Sequence, residues 1–322
     1  LLQLVKSANA GDQALFRKSV EAIISEERAK QHSVLADKLQ ESLNSPTTNG
    51  HTQLMPGKNE NRIDNLLIES VPEIRFRDLV MRDEILRVCT DLVEEHNRAD
   101  VLRSFNLEPR NRVLFIGPPG NGKTSLAEAI STELMIPFFT VRYEGIIASY
   151  LGETSVRLRS VFDYARTTKC VLFFDEFDSL GKERGDVHET GEIKRVVSSL
   201  LLQIDRLPSY VIVIAATNHP ELLDRAVWRR FQVSVTIPKP TVKQIQIFLD
   251  QFQESFQISL GYTSTQLSKL LTGLSFSEVK DFCQDVLRKY VLTLPHERRN
   301  LREITRERLE QLKHTFKPKP TR

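Results

Sequence analysis

The chain of 322 residues has little of several features that define protein classes. Its three cysteines, Cys89, Cys170 and Cys283, are too far apart for a disulfide framework or a clustered metal site. The apolar run Val211–Ala216 is far shorter than the roughly 20 residues of a membrane-spanning helix. A net charge of +3 gives no compositional argument for a nucleic-acid partner. No charged-then-apolar leader opens the sequence, so we expect a cytoplasmic protein that is not secreted.

An octet at 117–124 carries the strongest functional signal in the sequence. It reads Gly-Pro-Pro-Gly-Asn-Gly-Lys-Thr and fits the phosphate-binding loop pattern. The apolar run Val113–Ile116 before it predicts a buried strand, and the helix formers from Thr124 to Leu134 predict a helix. A glycine-rich loop in that setting points backbone N–H groups and the positive helix end at a polyphosphate, although glycine and proline also mark ordinary turns. Lys123 can then reach the β- and γ-phosphates, and the Thr124 hydroxyl can bind Mg²⁺.

A second motif follows about fifty residues later. The apolar run Val171–Phe174 predicts a strand that ends in Asp175 and Glu176. We expect Asp175 to take part in the Mg²⁺ shell and Glu176 to orient and polarise the water that attacks the γ-phosphate. The alternative is a strand that simply runs into a polar loop.

The pattern of the sequence divides the chain into four parts. Residues 1–44 have helical periodicity, and 45–70 are rich in turn formers, which predicts a flexible linker. Residues 71–240 alternate between strand and helix patterns, which predicts an α/β domain with a parallel sheet and helices on both faces. Residues 241–322 are wholly helical in pattern. Further strands are predicted at Phe138–Val141, Val211–Ala215 and Val233–Ile237, a capping box at Ser275 and Glu278, and a last helix from Thr305.

With these motifs in this order, residues 72–315 resemble the AAA family of ATPases. The resemblance is carried by the octet, Phe173-Phe174-Asp175-Glu176, Ala216-Thr217-Asn218, and the segment Leu223–Phe231. It implies the AAA+ type of P-loop NTPase fold, which is an α/β domain followed by a small all-α lid, and here a small helical unit precedes it. It also implies ATP and Mg²⁺ as cofactors and assembly into a homo-oligomeric ring, usually of six copies. A single phosphate loop and the Arg-Arg-Phe form resemble spastin- and katanin-type remodelling ATPases, and the short helical front end resembles that of solitary bacterial members.

The resemblance also implies roles for individual residues. Asn218 matches the first sensor, which contacts the γ-phosphate or the attacking water. Arg229 and Arg230 match the arginine fingers that complete a neighbouring subunit's site, although either could instead form a surface salt bridge. The expected nucleotide-binding residues are Asp78, Pro118, Pro119, Gly120, Asn121, Gly122, Lys123, Thr124, Ser125, Gly273 and Ser275. Two departures concern the adenine environment: the family's glycine after the Asp78 segment is missing, and Phe276 replaces a common glycine of the lid.

Tyr150, Leu151 and Gly152 match the loop that lines the central pore of protein-translocating members. An aromatic side chain grips an extended polypeptide over a large area at low entropy cost. The alternative is that Tyr150 packs in a core. Lys182, Arg184 and His188 fall where related ATPases have a second pore loop, and a solvated polar loop fits them equally well. No zinc-protease motif is found, so we do not expect a built-in protease.

The expected function is an ATP-hydrolysing ring motor that remodels, disassembles or unfolds proteins by threading them through its pore. Residues 1–44 would recruit a protein substrate or a dedicated partner. One alternative is a nucleic-acid remodeller, for which the basic stretch from Glu297 to Arg322 would supply a binding patch. Acidic residues interspersed in that stretch favour a lid helix instead. Another alternative is a slow, nucleotide-gated assembly scaffold or switch.

Overall fold

One mixed sheet organises the α/β part of the protein. The structure, a computed structural model, describes residues 66–142, 159–180, 198–293 and 300–315. Within these ranges the sheet has the order β1-β3-β4-β5-β2-β6, in which β1 is antiparallel to β3 and all other pairs are parallel. The strands are β1 Leu67–Ser70, β2 Arg112–Ile116, β3 Phe138–Val141, β4 Val171–Phe174, β5 Ile212–Thr217 and β6 Val233–Thr236.

Helices cover the sheet on both faces and continue after it. In the α/β part they are α1 Asp83–Asn97, α2 Ala99–Ser104, α3 Lys123–Leu134 and the short α4 Arg225–Trp228, with 159–165 and 198–205 also helical. The helical part that follows contains α5 Val242–Phe256, α6 Ser264–Leu270, α7 Phe276–Thr293 and α8 Leu301–Thr315. Single 3₁₀ turns lie at Phe76–Asp78, Phe177–Leu180 and Pro220–Leu222.

The central strands are almost wholly apolar, and both of their faces are buried. On β4, Leu172 and Phe174 pack into one core, whereas Val171 and Phe173 pack into another on the opposite face, as the two-residue period of a strand requires. The first core is completed by the helical segments 159–165 and 198–205, and the second by α1 and α3. The predicted α/β fold with helices on both faces and a helical C-terminal part is confirmed.

The helical part has a hydrophobic core of its own. It is formed by apolar residues of all four helices α5–α8: Ile245, Leu249, Phe252, Leu267, Val279, Phe282, Cys283, Val286, Ile304 and Leu309. The capping box predicted at the start of α7 is present, because Ser275 Oγ accepts from Glu278 N at 3.3 Å and Glu278 Oε2 accepts from Ser275 N at 2.6 Å. This part therefore holds its shape through contacts separate from those of the sheet.

Two predicted boundaries differ from the structure. Residues 67–70, assigned from composition to the end of the linker, form β1 because Leu67 is buried and pairs with Val141 on the sheet edge. The last helix begins at Leu301 rather than Thr305, since Asn300 Oδ1 accepts from the backbone N–H of Arg302 and caps it there. Thr305 instead lies buried within the helix, where its hydroxyl donates to Leu260 O at 2.8 Å.

Within the described ranges, no helix combines the length and the apolarity that crossing a membrane requires. The three cysteines are free and buried, and burial raises the pKa of each thiol to about 12. The N-terminal unit 1–44, the pore-loop residues 150–152 and the second loop 182–188 lie outside the described residues, so the expectations for them stay predictions.

Candidate functional site

The carboxyl ends of three neighbouring strands bring the predicted motifs together. Gly117 follows β2, Asp175 follows β4 and Asn218 follows β5, and β5 lies between the other two strands. Because these strands are parallel, their carboxyl ends meet at one edge of the sheet, which is where open α/β sheets bind ligands. Residues separated by about a hundred positions in sequence therefore share one site.

The phosphate-loop octet wraps the start of α3 in a backbone conformation that needs glycine. Gly122 precedes α3 with φ +87°, in the left-handed region. At Gly117 a Cβ would lie 2.0 Å from the carbonyl oxygen of Ile237, so no side chain fits there. Its N–H donates to Thr217 O at 3.2 Å, which ties the loop to β5. The loop thus points the N-terminal end of α3 at the cleft, a geometry suited to an anion.

Lys123, the first residue of α3, is held by oxygen atoms of the site. Its Nζ donates to Gly117 O at 2.7 Å, Pro118 O at 3.0 Å and Asn218 Oδ1 at 2.6 Å. Burial lowers the pKa of this ammonium, while the charges of Asp175 and Asp178 act in the opposite direction. Its direct hydrogen-bond partners are uncharged, so a polyphosphate would be the first anion to contact it and would favour its charged form.

Asn218 is fixed by an acid that the sequence analysis missed. Asp178 is buried, and its Oδ1 accepts from Thr217 Oγ1 at 2.8 Å and from the backbone N–H of Asn218 at 3.2 Å. This carboxylate therefore sets the position from which Asn218 reaches Lys123. Its signal in the sequence is the third acid of Asp-Glu-Phe-Asp, three residues after Asp175.

The residues predicted for Mg²⁺ are neighbours. Thr124 Oγ1 lies 3.3 Å from Asp175 Oδ2, with the hydroxyl donating. A hydroxyl and a carboxylate are the hard oxygen donors that Mg²⁺ takes when substrate phosphates and waters supply the remaining ligands, so the donor set fits this ion. Within the described ranges, no group of three or more His, Cys, Asp or Glu could hold a metal by itself. The site therefore fits a metal ion whose other ligands include a phosphate group of the bound nucleotide.

Glu176 occupies an unusual backbone position beside these residues. It has φ +46°, although it is not glycine, and its N–H donates to Asp175 Oδ1 at 2.9 Å. A non-glycine residue in this region is strained, and such strain is common at functional sites. The exposed side chain lines the cleft, where it is available to a water molecule.

These residues line a cleft of about 560 Å³ between the sheet edge and the helical part. The lining includes a polar set, formed by Lys123, Thr124, Asp175, Glu176 and Asn218, and an apolar set. The apolar set consists of Ile74, Leu79, Val80, Met81, Phe248 and Phe276. The remaining lining residues are Asp78, Pro119, Gly120, Asn121, Gly122, Ser125, Ser277 and Lys280. A lining with both polar and apolar side chains suits a nucleotide, which has charged phosphates and a flat base.

The structure does not bring all the predicted nucleotide-binding residues into the cleft lining. Gly273 lies outside it, with its carbonyl accepting from Lys239 Nζ at 2.7 Å, and Ser275 is engaged in the α7 capping box. Pro118 contributes its carbonyl to Lys123 rather than a side chain to the cleft. Conversely, sequence reasoning missed Ile74, Met81, Phe248 and Lys280. These residues have no motif of their own, and Phe248 and Lys280 reach the cleft only through the packing of the helical part on the loop.

The two candidate arginine fingers differ in their surroundings. Arg230 Nε donates to Asp205 Oδ2 at 2.8 Å, and the same carboxylate binds Arg112 Nη1 at 2.9 Å. Arg229 is exposed and has no hydrogen-bond or ion-pair partner for its side chain among the described residues. No described arginine lines the cleft. Any arginine that acts there must therefore come from outside the described residues or from another copy.

Comparison with known proteins agrees with this geometry. The sequence model of the "ATPase family associated with various cellular activities (AAA)" matches residues 113–239. A protein of Sinorhizobium fredii (strain NBRC 101917 / NGR234), named uncharacterized AAA family ATPase y4kL, is 37% identical over 290 residues, which cover 88% of this chain and 87% of that protein.

Peroxisomal ATPases are similar over a shorter stretch. The peroxisomal ATPase pex6 of Schizosaccharomyces pombe and PEX6 of Saccharomyces cerevisiae are each 34% identical, over 222 and 230 residues. In both cases the match covers 67% of this chain but spans only 22% of the relative. With a relative matched over nearly its whole length and the phosphate loop, acidic strand and Asn218 meeting at one sheet edge, the chain belongs to the AAA family and is an ATPase.

Proposed function

We propose that this ATPase assembles into a ring and uses ATP hydrolysis to remodel or unfold proteins by threading them through a central pore. One observation carries the proposal. The cleft is lined by Lys123, Thr124, Asp175, Glu176 and Asn218, the residues predicted to bind the phosphates and Mg²⁺ and to act on the attacking water, yet no described arginine lines it. A phosphoryl-transfer site of this kind gains several orders of magnitude in rate from an arginine supplied in trans. The exposed Arg229 is suited to complete the cleft of a neighbouring copy in a ring.

Within the cleft, each residue has a distinct part in hydrolysis. The N–H groups of the loop and Lys123 would bind the phosphates, and Thr124 and Asp175 would hold Mg²⁺, which would neutralise charge on the phosphate oxygens. Glu176 orients and polarises the attacking water, and Asn218 positions that water or the γ-phosphate. Asp178 acts through Asn218 by fixing its backbone. The expected substrate is ATP, bound together with Mg²⁺.

The threading part of the proposal is supported by sequence alone. Tyr150, Leu151 and Gly152 are the predicted pore loop, and residues 1–44 are the predicted recruitment unit. The relatives named peroxisomal ATPases are consistent with work on protein substrates, but they share only about a fifth of their length with this chain. A cytoplasmic location and a dedicated partner protein remain part of the proposal.

A capture experiment tests the proposal. The Glu176→Gln variant should keep nucleotide binding and stall hydrolysis, so in the presence of ATP the ring should remain bound to its substrate. Mass spectrometry then identifies the bound material. A protein that is captured by Glu176→Gln, lost when Tyr150→Ala is added and kept with Tyr150→Phe supports threading by an aromatic grip.

Other outcomes would replace the proposal. Capture of nucleic acid, together with ATPase stimulated by DNA or RNA but not by unfolded protein, would make this a nucleic-acid remodeller. ATP-dependent assembly with turnover far below one per minute and no captured load would make it a scaffold or switch. A protein load that is retained by Tyr150→Ala would remove the threading loop from the mechanism.

A further inference from the structure

A polar recess lies where the helical segments 159–165 and 198–205 adjoin on one face of the sheet. Its volume is about 300 Å³, and it shares no lining residue with the nucleotide cleft. The side chains that line it are those of Arg159, Asp163, Arg166, Gln203 and Arg206. Three guanidinium groups and one carboxylate give this lining a net charge of +2, which favours an anionic occupant.

The spacing of the five residues along the chain explains why they meet. Arg159, Asp163 and Arg166 are four and three positions apart, so they share one face of their helical segment. Gln203 and Arg206 are three positions apart at the end of the other segment. The two faces are joined because Arg166 Nη2 donates to Gln203 Oε1 at 2.9 Å. The recess is therefore built on two helical segments that pack on the core of the sheet.

Arg166 is the fixed cation of this recess. Its Nη1 donates to Asp163 Oδ1 at 2.6 Å while its Nη2 is bound to Gln203, and only 30% of its side chain is exposed. A guanidinium held in this way loses little conformational entropy when an anion binds. Because the Gln203 oxygen accepts from Arg166, the amide nitrogen of Gln203 is available to donate to an occupant.

Arg159 and Arg206 have charges that no neighbour neutralises. Both are exposed, and neither side chain has a hydrogen-bond or ion-pair partner among the residues that the structure describes. Arg112 and Arg230, in contrast, share the carboxylate of Asp205. The recess thus combines one fixed guanidinium with two unpaired ones, an arrangement that suits an occupant with more than one negative group.

The distribution of charge favours separate carboxylates over a chain of phosphates. Asp163 lies within the recess, and Asp205 precedes Arg206 in sequence. A nucleic-acid strand has closely spaced phosphates and would bring some of them against these acids. Acidic side chains of a peptide can face the arginines and avoid Asp163. A guanidinium also matches a planar carboxylate, to which it donates two parallel N–H groups.

We propose that the recess is a docking site for an acidic segment of a partner protein, whose carboxylates bind to Arg159, Arg166 and Arg206. The site is separate from the nucleotide cleft and requires neither hydrolysis nor threading, so the inference goes beyond the function proposed above. It assigns the partner a chemical character, a short run of glutamate or aspartate residues.

Fluorescence anisotropy of a labelled hexaglutamate peptide tests the proposal. The full chain is titrated at low salt in the presence of Mg²⁺ and the non-hydrolysable ATP analogue AMP-PNP, so that the phosphate loop is occupied. The wild type should bind hexaglutamate but neither hexaglutamine nor hexalysine. Arg159→Gln and Arg206→Gln should each weaken binding by about twofold to fivefold, and the double variant by about tenfold. Binding should weaken as salt is added.

Two further variants serve as controls. Arg87→Gln makes the same change of charge at an exposed arginine of α1, which packs on the opposite face of the sheet, and it should bind hexaglutamate like the wild type. Asp163→Asn keeps an oxygen acceptor for Arg166 and removes the negative charge, so it should strengthen binding by about twofold to fivefold. Weaker binding by Asp163→Asn would contradict an anion in the recess.

Three other results would overturn the proposal. Hexaglutamate affinity that is unchanged in the double variant would show that acidic peptides do not bind at this recess. A single-stranded oligonucleotide that binds the wild type more tightly than hexaglutamate, and loses affinity in the same variants, would make the recess a nucleic-acid contact. Loss of assembly in the double variant, measured by sedimentation velocity with AMP-PNP while hexaglutamate affinity is unchanged, would make it a contact between copies of this chain.

Discussion

The two walls of the cleft are built in opposite ways. On the sheet side, Lys123, Asn218, Thr124 and Asp175 are already hydrogen-bonded to one another or to the loop, and buried strands hold them. On the helical side, Phe248, Phe276 and Lys280 contribute rings and an exposed cation that has no hydrogen-bond or ion-pair partner among the described residues.

The difference follows from where each wall is anchored. The sheet wall continues strands whose residues are completely buried, for example Leu114 and Phe115 on β2, so its geometry is fixed by the main cores of the protein. The helical wall belongs to a part with its own core and reaches the loop through the first turn of α7. The predicted hydrolytic residues therefore lie on the sheet wall, whereas the helical wall contributes contacts from a separately folded part.

The largest effect is expected from breaking the sheet wall at Lys123. Lys123→Ala removes the cation whose Nζ contacts Gly117, Pro118 and Asn218, so ATP hydrolysis should fall by about a hundredfold or more. Steady-state phosphate release measures this loss. A variant that keeps wild-type turnover would contradict the role of the phosphate loop.

Mixing this variant with Arg229→Ala tests whether the missing cation comes from a neighbour. In a mixed ring, about a quarter of the sites would pair an intact cleft with an intact Arg229, so two inactive variants should regain activity together. If Arg229→Ala alone is inactive and the mixture stays inactive, Arg229 does not act in trans.

A middle-sized effect is expected where the two walls meet, at Gly120. Gly120 has φ +73°, and a Cβ there would lie 2.8 Å from Ser277 Cβ and 3.0 Å from Ser275 Oγ. Gly120→Ala should therefore push α7 off the loop, lowering both ATP affinity and the free energy of unfolding. Equilibrium denaturation and nucleotide titration measure the two.

Gly273→Ala supplies the matched comparison. Gly273 also has a positive φ, of +91°, but a Cβ there meets nothing within 4 Å. Both substitutions should cost about 1 kcal/mol of stability from backbone strain, and only Gly120→Ala should also weaken nucleotide binding strongly. Equal effects on binding would mean that contact between the walls does not matter.

The smallest effect is expected from Lys280 on the helical wall. Its ammonium lines the cleft from an exposed position, so its attraction to phosphates is screened by solvent. Lys280→Ala should weaken ATP binding by about twofold to tenfold, and the loss should shrink at high salt. Lys269→Ala, an exposed lysine of α6 outside the cleft, is the control and should bind ATP like the wild type. A hundredfold loss of ATP affinity in Lys280→Ala would contradict a contact that is screened by solvent.

What could be predicted from sequence is what depends on neighbours in the chain. Three features can be recognised from a few consecutive residues: the strand at Phe138–Val141, the capping box of Ser275 and Glu278, and the octet around Lys123. The role of Asn218 came from a family resemblance, and the structure places it against Lys123.

What could not be predicted depends on partners far away in sequence. β1 was missed because a strand of four residues on a sheet edge gains its stability from pairing with β3. Asp178 could not be assigned because its partners, Thr217 and Asn218, lie about forty positions later. Phe248 and Lys280 line the cleft only because α7 docks on the loop, which no local pattern reports.

The carboxylate of Asp205 connects the start of strand β2 to Arg230, one of the two candidate arginine fingers. β2 begins at Arg112, which Asp205 binds together with Arg230, and it ends one residue before the phosphate loop. Five residues of strand span roughly 17 Å, and β5 and β6 clamp β2 on both sides, so it behaves as a stiff rod. A displacement of β2 at the loop end would therefore act on the Asp205–Arg230 pair, which adjoins Arg229, the residue that the proposed ring would place at a neighbouring cleft. In the proposed ring, this contact would couple the nucleotide site of one subunit to that of the next.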